Sequence, residues 1–178
     1  MNNTLQHNQK YKLLEHESLV VNDTTLYRII AIRSFGDVVI GDKGGFIEKE
    51  SNLSHNDNAW VYGDARVYDN ARVSDNARVY DNAWVFGNAQ VSDNAWVYGD
   101  ARFFGDAWVL GDARVYGDAR VFGNARVSGN AWVFDNARVF GNAWVFGDAW
   151  VFGNARVYGN AWVFGNARVS GNAWVFGN

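Results

Sequence analysis

Three histidines supply the side chains best suited to proton transfer near neutral pH, and all three precede residue 57. His7 lies in a polar opening stretch, His16 stands between Glu15 and Glu17, and His55 falls in Asn52-Leu53-Ser54-His55-Asn56. A general base needs a His or a carboxylate with a shifted pKa. His55 is therefore the single, weak catalytic candidate, and a partly exposed linker histidine is the plainer reading of it. No Gly-x-Ser-x-Gly, Walker-type or His-Glu-x-x-His string occurs. The absence of Cys leaves no disulfide framework and no thiolate metal site. Asp100 and Asp118 could offer a pair of oxygens to a hard cation, but such ions want six to eight. Asp standing in for Asn at a turn explains them better, so neither metal nor cofactor is expected.

The richer chemistry is aromatic and cationic. From Asn58 to Asn178 one six-residue phrase recurs about twenty times: Asn/Asp, Ala, Arg/Trp, Val, Tyr/Phe/Ser, Gly/Asp. The slot before Val holds ten Arg, nine Trp and Gln90, and a slot so tolerant of Arg cannot face a sealed interior. Strand alternation then puts Ala and Val on the inner face and Arg/Trp with Tyr/Phe on the outer one. Phe103 alone replaces Val in the inner column. Cation–π contacts between the outward Arg and Trp are worth ~0.5–1 kcal/mol each when exposed.

What positions these residues is the period itself. Gly, Asn and Asp tolerate left-handed backbone at low cost, so the Gly/Asp–Asn/Asp pair makes a corner after each short strand. Strands joined by two-residue corners wind into a solenoid. Ser74, Ser92 and Ser128 stack on one side if three hexads complete an 18-residue coil, while Ser170 falls out of that phase. The predicted fold is all-β: a single parallel β-solenoid of nearly seven coils, roughly 32 Å long at ~4.8 Å per coil.

Composition changes near residue 57: every Lys, Glu, Ile, Thr and His lies before it and every Trp after it. Residues 1–57 read as an N-terminal β cap and leader, and 58–178 as the repeat. Thr24–Phe35 and Val38-Val39-Ile40 are rich in strand-forming residues, with turns at Asn22-Asp23 and Gly36-Asp37. A cap is needed because a solenoid end exposes core and unpaired strand edges. The opening stretch is polar and no apolar run approaches the ~18 residues of a membrane span, so the expected location is cytoplasmic.

The spacing of an aliphatic residue and, four later, a small one (Val61…Ala65, Val67…Ala71) resembles the hexapeptide repeat of left-handed parallel β-helices. Left-handedness is what this resemblance implies. Gly44-Gly45-Phe46-Ile47-Glu48, Glu50, Asn52-Leu53-Ser54 and the first Asn-Ala-Trp-Val are similar to the entry segment of the YdcK-like hexapeptide-repeat proteins of bacteria and phages. That group is usually labelled acyltransferase, which implies acetyl-CoA as co-substrate, a trimer, and His55 or an Asp as base. Acyltransferases of the class also carry an extruded loop and a helix-borne His. Here residues 58–178 contain neither, and their outward positions are aromatic instead.

The reading that follows is a non-catalytic structural or interaction scaffold. It associates with itself through Trp144, Phe146, Trp150, Phe152, Trp162, Phe164, Trp174 and Phe176, where aromatics are densest, and through the open C-terminal coil. An acyl-CoA-dependent transferase is the first alternative. A carbohydrate-binding fibre, stacking sugars on rings, is the second. Nucleic acid ranks last, because twelve Asp, Asp57 included, accompany the Arg of the repeat and deny it a net basic stripe.

Overall fold

The computed structural model describes residues 9–178; His7 lies outside them. In the repeat, each hexad contributes a two- to four-residue strand centred on the Arg/Trp–Val pair, and each corner turns on a positive φ. Gly87, at φ +71°, shows why the corner is so restricted: a Cβ there would come within 2.9 Å of the Gly105 nitrogen one coil on. Asp is the other solution. Asp69, Asp75, Asp81, Asp93 and Asp135 adopt φ 58°, and their carboxylates accept a backbone N–H from the next coil, as Asp93 Oδ2 does from Gly111 at 2.8 Å. The interstrand bond offsets the strain of the non-glycine residue.

Strands stack in register with a parallel offset of one coil, as in Trp96↔Arg114 and Val97↔Val115. They form three sheets of ten, seven and six strands, which are the three faces of a solenoid of about seven coils. Ala and Val fill its interior and are fully buried through most of its length. Phe103 is accepted into the Val column between Val85 and Val121, with no exposure. At the following corner position, side-chain amides bond from coil to coil: Asn58 Nδ2 donates to Asn76 Oδ1 and Asn76 Nδ2 to Asn94 Oδ1, ending on Asp112. A carboxylate only accepts, so Asp is a natural terminus for such a run.

The cap is an antiparallel extension of the ten-stranded sheet. β1 (Tyr11–Val21) pairs with β2 (Thr24–Ala31) through a turn at Asn22-Asp23, both at positive φ as a tight hairpin requires. β3 (Lys43–Ile47) pairs antiparallel with β2 and parallel with Arg66–Val67. Ile47 pairs with Val67, and Leu53 makes an isolated parallel bridge to Val73, so both occupy the Val column of the coil below. Gly44 and Gly45 are required where this strand crosses the solenoid end. A Cβ on Gly44 would meet the Val61 carbonyl at 2.6 Å, and one on Gly45 the Ala65 carbonyl at 2.6 Å. Tyr11, Ile29, Ala31 and Val38 close the end of the core, with Phe35 and Tyr11 packed edge-on against buried Trp60.

Two details differ from the sequence expectation. Val38-Val39-Ile40 is no strand: Val38 makes a single bridge to Phe35, while Val39 and Ile40 are exposed. Turn residues at Gly36-Asp37 and Gly41 leave too little chain between them for a ladder. The longest strand is instead β1, in a stretch that the sequence alone assigns to the cap and leader without marking a strand. Among the described residues no helix is long and apolar enough to cross a membrane.

Candidate functional site

The outward rings stack as the 18-residue phase requires. On the ten-stranded sheet, Tyr68, Phe86, Phe104, Phe122, Phe140, Tyr158 and Phe176 form one unbroken ladder with centroids 4.8–5.7 Å apart. On the seven-stranded sheet the ladder has a gap. Tyr62 stacks on Tyr80 at 4.3 Å, and Tyr98, Tyr116, Phe134 and Phe152 stack in turn. Tyr80 instead tilts against Trp96, 5.9 Å away. A cap residue reaches the ring column at this point. Asp37 holds Arg78 at 2.8 Å and accepts the Tyr62 hydroxyl, while Arg78 donates to the Tyr80 hydroxyl. A hollow of about 440 Å³ opens at the break, lined in part by Tyr80, Trp96 and Tyr98. Burial raises the Tyr62, Tyr98 and Tyr116 phenols above their ordinary value.

The eight rings expected to mediate association divide among the faces. Trp144, Phe146, Trp162 and Phe164 lie with the six-stranded sheet, Trp150 and Phe152 with the seven-stranded one, and Trp174 and Phe176 with the ten-stranded one. Within a face they meet: Trp144 stacks on Trp162 at 5.3 Å and Phe146 on Phe164 at 5.4 Å. Trp150 stacks on Trp132, and Phe152 on Phe134. Phe176 covers Tyr158, and Trp174 meets Tyr158 edge-on. Exposure separates them further. Trp162, Phe164, Trp174 and Phe176 of the outermost coil are 58–68 % exposed, whereas Phe146, Trp150 and Phe152 are half-buried.

His55 sits at the seam between cap and first coil, beside an open hollow of about 430 Å³ lined by Glu50, Ser51, Ser54, Arg72, Ser74 and Gln90 among others. Its ring stacks on Tyr11 at 4.2 Å. Nδ1 accepts the Lys10 backbone N–H at 3.3 Å, and Nε2 lies 3.8 Å from Glu50 Oε2. Burial lowers its pKa, with Glu50 opposing. A neutral ring whose Nδ1 faces a donor carries its proton on Nε2. The remaining lone pair is thus engaged by the backbone rather than offered to a substrate. His16 pairs with Glu17 at 3.6 Å on the exposed outer side of β1.

Sequence reasoning did not single out Lys10. Its ammonium is buried and donates to the carbonyls of Asn56, Asp57 and Ala59. No local pattern marks it, because all three acceptors lie 46 to 49 residues away.

The repeat profile described as the YdcK beta solenoid repeat matches residues 59–74, 65–79, 71–87, 89–111, 113–129, 119–134, 149–164 and 161–177. Together these segments cover more than half of the chain. Among curated proteins, the "Uncharacterized acetyltransferase YdcK" of Escherichia coli (strain K12) is 36% identical over 61 residues. That stretch is 30% of this chain and only 19% of the Escherichia coli protein.

Proposed function

The chain belongs to the YdcK β-solenoid repeat family, and we propose that it serves as a rigid interaction scaffold that associates with a second copy of itself through its aromatic ladders. The observation that carries this reading is the apolar surface left open along the six-stranded face, where Trp108 and Trp144 remain 36 % exposed and stand in file with Trp162. A second copy laid on this face would cover those indoles. Each buried aromatic face adds ~0.5–1.5 kcal/mol beyond its area.

Sedimentation velocity tests the proposal. The expected result is a concentration-dependent dimer or larger species at micromolar protein, shifted toward monomer by Trp162→Ala with Phe164→Ala. A clean monomer at high micromolar concentration, unchanged by those substitutions, removes the idea.

A second reading, an acyl-CoA-dependent transferase, is favoured by the name of the Escherichia coli relative and by the hollow at His55. The tautomer of His55 described above argues against its acting as base. Isothermal titration with acetyl-CoA separates the two readings: saturable binding, lost in His55→Ala, reverses their order. The carbohydrate alternative loses its simplest form, since neighbouring rings within a ladder cover one another's faces and leave few for sugar stacking.

A further inference from the structure

Arginine is diluted on two of the three faces. In the seven-stranded sheet Arg114 lies between Trp96 and Trp132, its guanidinium 5.4 and 5.1 Å from the ring centroids. In the six-stranded sheet Arg126 lies between Trp108 and Trp144 at 4.8 and 4.9 Å. The ten-stranded sheet does the opposite. Arg102, Arg120, Arg138 and Arg156 are register partners on four consecutive strands. Like charges directly opposite one another are destabilising. The outer two are relieved by indoles, Arg102 over Trp84 at 5.4 Å and Arg156 over Trp174 at 4.9 Å. Among the described residues, Arg120 and Arg138 have no ion pair, side-chain hydrogen bond or ring contact.

Beside this run Phe104, Phe122, Phe140 and Tyr158 stack within 6° of parallel. Each ring's faces are turned to its neighbours along the axis, so its edge is what points outward. The edge is the positive part of an aromatic quadrupole, and the stripe is therefore electropositive across its width. Acid thins out along it. On the near flank one acid stands before each of Arg102, Arg120 and Arg138, namely Asp100, Asp118 and Asp135, while the Gly153-Asn154 corner before Arg156 has none. On the far flank Asp106 is the one acid beside Asn124, Asn142 and Asn160.

We propose that this stripe binds an acidic polysaccharide bearing one carboxylate on each sugar unit, laid along the solenoid axis. Strand spacing sets one guanidinium every ~4.8 Å, close to the length of a single pyranose unit, so the carboxylates on the side of the chain turned to the protein recur at whole multiples of the arginine spacing. Arg matches a carboxylate through two parallel N–H donors. Other polyanions fit less well. Single-stranded nucleic acid needs free ring faces for its bases, and here they are covered. A duplex repeats its phosphates every ~3.4 Å on each strand, out of step with the arginines. The stripe gives the scaffold a ligand of its own and rests on Arg120 and Arg138 of the ten-stranded face, whereas the self-association tested above uses Trp162 and Phe164 of the six-stranded one.

Fluorescence anisotropy with a labelled six-unit oligogalacturonate tests it, with the fully methyl-esterified oligomer as the uncharged control. The expected result is saturable binding of the acid form that is weaker by on the order of tenfold or more for the ester, and by a similar factor in Arg120→Gln/Arg138→Gln. Arg120→Lys/Arg138→Lys keeps the charge but not the paired donors and should fall between. Arg114→Gln, on another face, should bind as the unaltered protein does. No binding of the acid oligomer, equal binding of the ester, or indifference to the double Gln variant with an unchanged far-ultraviolet spectrum each overturns the proposal. Tighter, Arg120-dependent binding of oligothymidylate also overturns it, assigning the stripe to nucleic acid. The ester comparison needs no variant and stands if a variant fails to fold. Sedimentation of the double Gln variant keeps the two proposals apart, since self-association should persist in it.

Discussion

Lys10 in the cap and Val121 in the repeat are both fully buried, yet they are held by different kinds of neighbour. Lys10 sits against three specific carbonyls at 2.8–3.3 Å and the ring of Phe35. Val121 sits between Phe103 above and Val139 below, its own counterparts one coil away. The cap is made of unique, long-range polar contacts, including Tyr11 Oη donating to the carbonyls of Glu50 and Leu53, and Asn52 Nδ2 donating to those of Asp69 and Ala71. The repeat is made of one contact used many times. A strand slipped by a whole coil would find equivalent partners in the repeat, but none in the cap. The seam is therefore where the chain's register is specified, and the repeat is where stability accumulates as near-neighbour terms.

Breaking the seam should have the largest effect. Lys10→Met removes the donor shared by the buried Ala59 carbonyl and the part-buried carbonyls of Asn56 and Asp57 and is expected to cost ~3 kcal/mol, read as a lower urea midpoint. The wild-type protein should also carry a pH signature that the variant lacks. Burial pulls the Lys10 ammonium down to about 8 from an ordinary 10.5. Between those values the unfolded chain binds more protons than the folded one, so stability rises with pH across that window. Tyr11 acts in reverse: burial raises its phenol above 10, so its contribution is lost as the pH climbs past 10. Stability should peak near pH 10 in the wild type, and the rise toward that peak should flatten in Lys10→Met. A rise that persists in the variant would assign it to another group.

The repeat should answer the same treatment by position. Val121→Ala deletes two methyls from a fully buried site flanked on both sides, an expected loss of ~2 kcal/mol. Val175→Ala deletes the same atoms from the outermost coil, where the side chain is only partly buried, and should cost less than half as much. Equal losses would mean that the terminal coil is covered in solution, which would favour end-to-end association.

The sequence makes the repeat far more legible than the cap. Ala and Val repeat with one phase, so alternation alone places them inside. The 18-residue phase correctly stacks Ser74, Ser92 and Ser128 on the six-stranded face and Ser170 on the seven-stranded one. Cap contacts have no such echo. Nothing near Lys10 announces that its ammonium meets residues 56 to 59, and Tyr11–Val21 shows itself as a strand only where β2 pairs with it. The break between Tyr80 and Tyr98 is equally hidden, since it falls where Asp37, a cap residue, reaches the repeat through Arg78. At the surface, Arg and Trp alternate in composition alone until the sheet register shows that one face gathers four arginines in a row.

The smallest expected effect lies in the corner column of Asp100 and Asp118. Elsewhere an Asn donates its amide to the next coil, as Asn88 does to Asp106 at 2.8 Å and Asn130 to Asp148 at 2.9 Å. Asp100 and Asp118 are successive members of one column, and a carboxylate has no hydrogen to give its neighbour. Asp118→Asn restores a donor facing Asn136 and removes a like charge from beside Asp100. The variant should gain ~0.5–1 kcal/mol, a rise in Tm of roughly 1–4 °C for a domain of this size, smaller at high salt where the repulsion is screened. An unchanged Tm at neutral pH would show that solvent already screens this pair, and that the corner ladders contribute to register more than to stability.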